Sequence, residues 1–225
     1  MAPQFKWFAA SPQTDYLWRA LTDGTVEKMS GGRIPRMTPQ QAAGLIGSFL
    51  IETGRKALNP LDVIEKGTGK GRGMAQYTGV RRGPYERALQ AAKAQGKDPN
   101  SIQWQLQYMV EEYMGKHDPA PGRSLVGWTR VFEQAPKQGT PQSFAEYYTG
   151  SAAEGRGYFR PGVPHTDRRM QAAQEVFNHY YKPAQPQTLK VGDKKRDMQV
   201  APRPNPLQMI QQGIQGAVKQ LNPFD

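Results

Sequence analysis

Ala42-Ala43-Gly44-Leu45-Ile46-Gly47-Ser48-Phe49-Leu50-Ile51-Glu52 is an almost wholly apolar run that ends on a carboxylate. On a helix of 3.6 residues per turn, Leu45, Phe49 and Glu52 fall at i, i+4 and i+7 and share one face. A carboxyl on the buried face of its own helix is costly unless something holds or needs it there. Burial disfavours the ionised form and raises the pKa, which is the condition a general acid requires near neutral pH. Glu52 is therefore the first candidate functional residue.

The surrounding punctuation supports this helix. In Thr38-Pro39-Gln40-Gln41, Thr is a good N-cap, Pro suits the first helical position and Gln completes a capping box. A long Gly-rich loop over 53–73 follows, with Asn59-Pro60 inside it. Gly83-Pro84 opens a second helix that runs to Gly96, and Asp98-Pro99 opens a third that ends near Gly115. Within the third, Ile102, Trp104, Leu106, Tyr108 and Val110 alternate as in a strand, while Ile102, Leu106, Met109, Val110 and Tyr113 fit a helix. Its length and its Pro and Gly boundaries favour the helix. Further helices are predicted at 123–135, at 141–149 behind Thr140-Pro141, and at 166–182 before Pro183.

Ahead of this domain, Ser11-Pro12 caps a short amphipathic piece carrying Leu17, Trp18 and Leu21, and 30–36 reads as a linker. Behind it, 183–204 is rich in Pro, Lys and Gln and is predicted to be extended or disordered. Asn205-Pro206 then caps a last helix with Leu207, Ile210, Ile214, Ala217 and Leu221 on one face. Such a stripe folds back on its own domain or docks on a partner protein or a membrane surface. The predicted organisation is an N-terminal arm and linker over 1–36, a mainly helical domain over 37–182, and a tether with a docking helix over 183–225.

Composition sets outer limits. The 225 residues allow one medium domain with tails, or two small ones. Thirty Lys and Arg against 19 Asp and Glu give a net charge of +11. That charge favours polyanions such as nucleic acid, anionic lipid or an anionic cell-wall polymer, and it also promotes solubility. There is no Cys, which excludes disulfides, thiol catalysis and cysteine metal sites. Three His occur and no pair has the spacing of a helical zinc motif, so neither a metal nor a cofactor is expected. No stretch approaches the ~20 apolar residues of a membrane span, and the first ten residues lack the apolar core of a secretory signal.

Gly67-Thr-Gly69-Lys-Gly71-Arg-Gly73 invites comparison with phosphate-binding loops and matches neither pattern. Arg72 stands where the dinucleotide fingerprint needs Gly, the Gly-Lys-Ser/Thr ending of the nucleotide loop is absent, and no predicted strand precedes it. A mobile loop or the lip of a substrate groove fits better. Glu52-Thr53-Gly54, Asn59-Pro60 and Ala75-Gln76-Tyr77-Thr78-Gly79-Val80-Arg81-Arg82 taken together resemble the phage tail lysozyme family. That family has a helix ending in Glu-Ser-Gly, then Asn-Pro, then Ala-Gln-Trp-Thr-Gly-x-Arg-Arg after a Gly-rich stretch. The likeness continues through Gly96-Lys97-Asp98-Pro99 and Gln105-Leu106-Gln107-Tyr108 to Asp167-Arg168-Arg169, and spans about 37–182. More distantly, Gly73-Met74-Ala75-Gln76 and Ala145-Glu146-Tyr147-Tyr148-Thr149-Gly150 are similar to segments of goose-type lysozymes and soluble lytic transglycosylases.

The resemblance implies an α+β lysozyme-like domain that cleaves the MurNAc-GlcNAc backbone of peptidoglycan, with Glu52 as general acid and base. Cleaving a glycosidic bond needs an acid at the leaving oxygen. Asp62 and Glu65, in the loop, are candidates for a second carboxylate. Thr53, Gln76, Tyr77, Tyr147 and Tyr148 are candidates for holding the sugar, Gln76 by hydrogen bonds, Tyr77 by stacking, and Tyr147 and Tyr148 by lining the groove from the far side. A virion component is implied, delivered to the host envelope by the particle. Residues 1–29 and 205–221 would dock on tail, portal or internal core proteins, and the basic surface could touch DNA non-specifically. The alternative is a non-catalytic structural virion protein that reuses the fold. Glu111-Glu112 and Glu133 read as solvated helix faces, and Arg81-Arg82 as partners of acidic groups or caps of loops.

Overall fold

The computed structural model describes residues 6–65, 69–117, 130–150, 157–159 and 165–181. The predicted tether and the docking helix at 205–221 lie outside them, as does the 123–129 part of a predicted helix. The rest of that prediction is corrected: residues 130–134 form turns.

Seven helices are seen among the described residues: α1 (Pro12–Thr22), α2 (Thr25–Met29), α3 (Pro39–Thr53), α4 (Arg82–Ala94), α5 (Ile102–Tyr113), α6 (Pro141–Thr149) and α7 (Thr166–Tyr180). The fold is mainly helical. The β contribution shrinks to two isolated antiparallel bridges, Ile64 with Arg72 and Arg72 with Tyr77. The ambiguous third segment is the helix α5. No helix among the described residues is long and apolar enough to cross a membrane.

α3 is the central helix, and its capping box forms as its sequence predicts. The Thr38 hydroxyl accepts from the Gln41 amide, and the Gln41 side chain accepts from the Thr38 amide at 2.8 Å. Residues 42–50 are all buried. Two glycines let neighbouring helices approach. A Cβ on Gly44 would stand 2.6 Å from the Phe144 Cβ of α6, and one on Gly47 would stand 2.5 Å from the Ala173 amide nitrogen of α7. α3, α6 and α7 therefore meet almost backbone to backbone, which close packing permits only where a side chain is missing.

The N-terminal piece, expected to be a separate docking arm, is part of this core. Leu17, Leu21, Val26 and Ile34 are buried with the α3 residues in one cluster. Trp7 and Phe8 donate their amides to the Glu175 carboxylate at 2.7 and 3.0 Å. Trp18 stacks on Tyr180 at 4.8 Å, and the Tyr180 hydroxyl donates to Asp15 at 2.6 Å. The predicted amphipathic stripe forms, and its partner is α7 and the core of the same chain. The compact unit runs from Met1 to Pro183.

The loop after α3 is pinned from α5. The fully buried Gln105 donates to Pro99 O and to the Tyr85 hydroxyl, and accepts from the Met74 amide at 3.0 Å.

Candidate active site

Glu52 lies on the last turn of α3, and its side chain is 11% exposed. An Arg169 guanidinium nitrogen donates to its Oε1 at 2.7 Å. Arg169 is itself 1% exposed, donates to Ser48 O at 3.3 Å, and lies over the Phe159 ring at 5.4 Å. Burial pushes the Glu52 pKa above the ordinary carboxyl value. Arg169 and, more weakly, Arg81 pull it down, the charge of Glu65 pushes it up again, and the net direction is upward. The arrangement is a carboxyl that holds its proton more tightly than an exposed glutamate, beside a fixed cation.

Arg169 was not singled out from the sequence, although a signal existed. Arg169, Ala172, Ala173 and Val176 are the buried positions of α7, spaced i, i+3, i+4 and i+7. A cation heads this apolar stripe as Glu52 ends that of α3. Opposite charges on two buried faces are expected to meet.

A second buried ion pair lies within electrostatic reach of Glu52. Arg81 grips Glu112 with two hydrogen bonds, 2.6 and 2.8 Å, and donates to Tyr158 O at 3.1 Å. The Tyr158 hydroxyl donates to the same carboxylate at 3.0 Å, and the guanidinium lies over the Tyr77 and Tyr158 rings at 4.9 and 4.7 Å. Tyr158 and Phe159 thus place one ring over each arginine. The reading of Glu112 as a solvated face is corrected, since it is 6% exposed. Arg81 does pair with an acidic group, as expected. Glu133 is likewise engaged, by Arg33 at 3.3 Å and by the Tyr113 hydroxyl.

The other candidates separate clearly. Asp62 is taken up by Arg72, which binds both its oxygens at 2.7 and 2.8 Å and also bonds Glu86. This fork closes the loop and leaves Asp62 poorly placed as a catalytic partner. Glu65 is exposed; its carboxylate accepts from the Gly71 amide at 3.1 Å, and its charge acts on Glu52.

Of the sugar-holding candidates, Thr53 is buried and its hydroxyl turns back onto Phe49 O at 2.9 Å, so it finishes the helix. Gln76 donates its amide to Val63 O and Gly73 O, tying the loop together. Its Oε1 is buried with no hydrogen-bond partner among the described residues. Tyr77 is corrected: it is 0% exposed, stacked on Tyr85 at 4.6 Å, and offers no face to a sugar. Tyr148 is also 0% exposed, and it lines a cavity with Thr38 and Gln41 at the opposite end of α3. At 1.5 Å per residue, that end is about 16 Å from Glu52. Tyr147 donates its hydroxyl to Val131 O at 2.9 Å and is half-buried. The aromatic residues gathered around the arginines serve packing, the commoner fate of large rings. Among the described residues no cluster of His, Asp or Glu could hold a metal ion.

Comparison with curated proteins and with solved structures gives no match. The sequence model of one family, described as phage tail lysozyme, matches residues 32–180, from the linker before α3 to the last residue of α7. Both Glu52 and Arg169 fall inside that span. The chain belongs to the phage tail lysozyme family, and at family level it is a lysozyme-like, peptidoglycan-degrading virion protein.

Proposed function

We propose that this protein cleaves the MurNAc-GlcNAc backbone of the host wall during phage genome entry, with Glu52 as general acid and then base. The observation that carries the reading is a nearly buried glutamate at the end of the core helix, its proton held by desolvation, inside the family-matched segment. Protonated Glu52 gives its proton to the glycosidic oxygen as the bond to the anomeric carbon breaks. The carboxylate left behind is stabilised by Arg169 at 2.7 Å. It then takes a proton from the attacking group. That group is a water, assisted by Glu65, in a hydrolase, or the C6 hydroxyl of the same sugar in a lytic transglycosylase. Mass spectrometry of the released fragments separates the two by reducing ends against anhydro ends.

The test is Glu52→Gln. The variant keeps the side-chain shape and loses the transferable proton; it also leaves Arg169 beside a neutral amide and so loses some stability, and clearing is read well below its melting temperature. The substitution is expected to abolish clearing of a peptidoglycan suspension with an unchanged circular dichroism spectrum. Equal clearing by the variant removes Glu52 from the mechanism.

A structural virion protein without catalysis is the second reading, favoured by the Glu52–Arg169 pair itself, because a buried ion pair also fixes two helices in register. Wild-type protein that folds and clears no peptidoglycan establishes that reading. Docking on tail, portal or core proteins, non-specific DNA contact and delivery to the host envelope by the virion belong to the same proposal; the net charge of +11 supports contact with polyanions.

A further inference from the structure

A cavity of about 210 Å³ lies between α4 and α5, and none of its lining residues takes part in the Glu52 site. Three kinds of surface meet there. Ala88, Ala91 and Ala92 of α4 give a methyl-lined wall. Trp104 and His117 give an aromatic one; Tyr108, 2% exposed, is stacked between them and offers no free face, with ring centroids 5.7 Å from Trp104 and 4.6 Å from His117. Glu111, Gln107 and Gln95 supply polar planar groups, and Lys97 adds an ammonium that suits a sugar hydroxyl or carbonyl oxygen.

The carboxylate in this cavity is pre-oriented. Gln107 donates to Glu111 Oε1 at 2.7 Å, and the His117 ring nitrogen lies 2.9 Å from Oε2. A carboxylate has about four acceptor sites, so capacity remains for hydroxyl donors from a ligand. Tyr108 has a buried hydroxyl with no hydrogen-bond partner among the described residues.

This combination selects a ligand class. The volume admits one six-membered ring and is small for a nucleotide. The C–H face of a pyranose carries slight positive charge and packs on electron-rich aromatic rings. Its hydroxyls suit a fixed carboxylate and amides, and an acetamido methyl suits the alanine wall. We propose that the α4–α5 cavity is a non-catalytic saccharide site that holds one N-acetylhexosamine ring. The proposal rests on the reading above only in taking a glycan as the substrate. A second grip on the same polymer raises the effective concentration of cleavable bonds at Glu52.

The test uses the full chain carrying Glu52→Gln, so that the ligand is not consumed, titrated with chitotriose and followed by heteronuclear NMR. The Trp104 indole and the Gln95 and Gln107 side-chain amides are expected to shift and saturate in the millimolar range. Gln95→Ala with Gln107→Ala is expected to weaken that binding about fivefold or more, the loss of one or two neutral hydrogen bonds. The melting temperature should fall by no more than a few degrees, since neither residue is in the core and only the Gln107–Glu111 bond is lost. Shifts confined to the surroundings of Glu52, or unchanged affinity in the double variant, overturn the proposal. Binding at α4–α5 by a protein whose wild type clears no peptidoglycan upholds this site while the proposed catalysis fails. Clearing without such binding does the reverse.

Discussion

Replacing Arg169 by Met keeps the aliphatic stem beside Phe159 and removes the charge that lies 2.7 Å from Glu52. In an effective dielectric of about 20, a pair near contact is worth roughly 4 kcal/mol, and one pKa unit corresponds to about 1.36 kcal/mol. Arg81 and the partial exposure of Glu52 temper the loss, so the Glu52 pKa should rise further above the ordinary carboxyl value. A general acid works while protonated, so the basic limb of the pH–activity profile should move up by the same amount. Stability follows a related rule. The folded Glu52 pKa lies above the ordinary 4.5, so the folded state holds the extra proton. Its contribution is fully present below 4.5 and is lost as pH rises through the folded value. In Arg169→Met that loss extends to higher pH, reaching about 3–5 kcal/mol where Glu52 is ionised without a partner. Carbon-13 NMR of the Glu52 carboxyl, denaturant unfolding across pH, and turbidity clearing read the three quantities. A carboxyl that titrates no higher in the variant than in wild type, with an unmoved basic limb, would refute the account of Glu52 given above.

Glu65→Gln removes a charge that pushes Glu52 up, so the basic limb should move to lower pH, by less than about one unit because Glu65 is exposed; the same carboxyl titration reads it. Gly47→Ala places a Cβ 2.5 Å from the Ala173 amide nitrogen, and thermal unfolding should show a loss of about 1–3 kcal/mol; an unchanged melting temperature would mean that α3 and α7 separate freely. Glu112→Gln leaves Arg81 buried beside a neutral amide and should cost about 3–5 kcal/mol in denaturant unfolding. A value near zero would show that Arg81 finds water.

Much of the fold is written locally. Thr38-Pro39 and Gln41 fix the start of α3 with the capping box that the sequence announces; Ser11 and Thr140 open α1 and α6 as read, and their boxes are completed by Thr14 and Ser143, which the usual pattern does not flag. Glu52 was legible because a single charge interrupts a helical stripe. Its partner was not, because Arg169 lies 117 residues away and no local period reports which buried faces will oppose each other. The same gap explains the N-terminal stripe, whose existence was plain and whose docking surface on α7 was not. Tyr77 misled for a different reason. It follows Gln76 in a polar, Gly-rich loop, yet Arg81 and Tyr85 enclose its ring. Exposure in a loop is decided by what folds over it, which sequence neighbours do not record.

The Glu52–Arg169 pair also makes the site a late event in the life of the polypeptide. A ribosome delivers Glu52 long before Arg169, and any chain cut short of α7 lacks the cation, the helix that meets Gly47, and the Glu175 carboxylate that ties down Trp7. An unfinished or clipped product is left with Glu52 on an α3 that lacks its α7 neighbour, and only a chain completed through α7 carries the full set of groups.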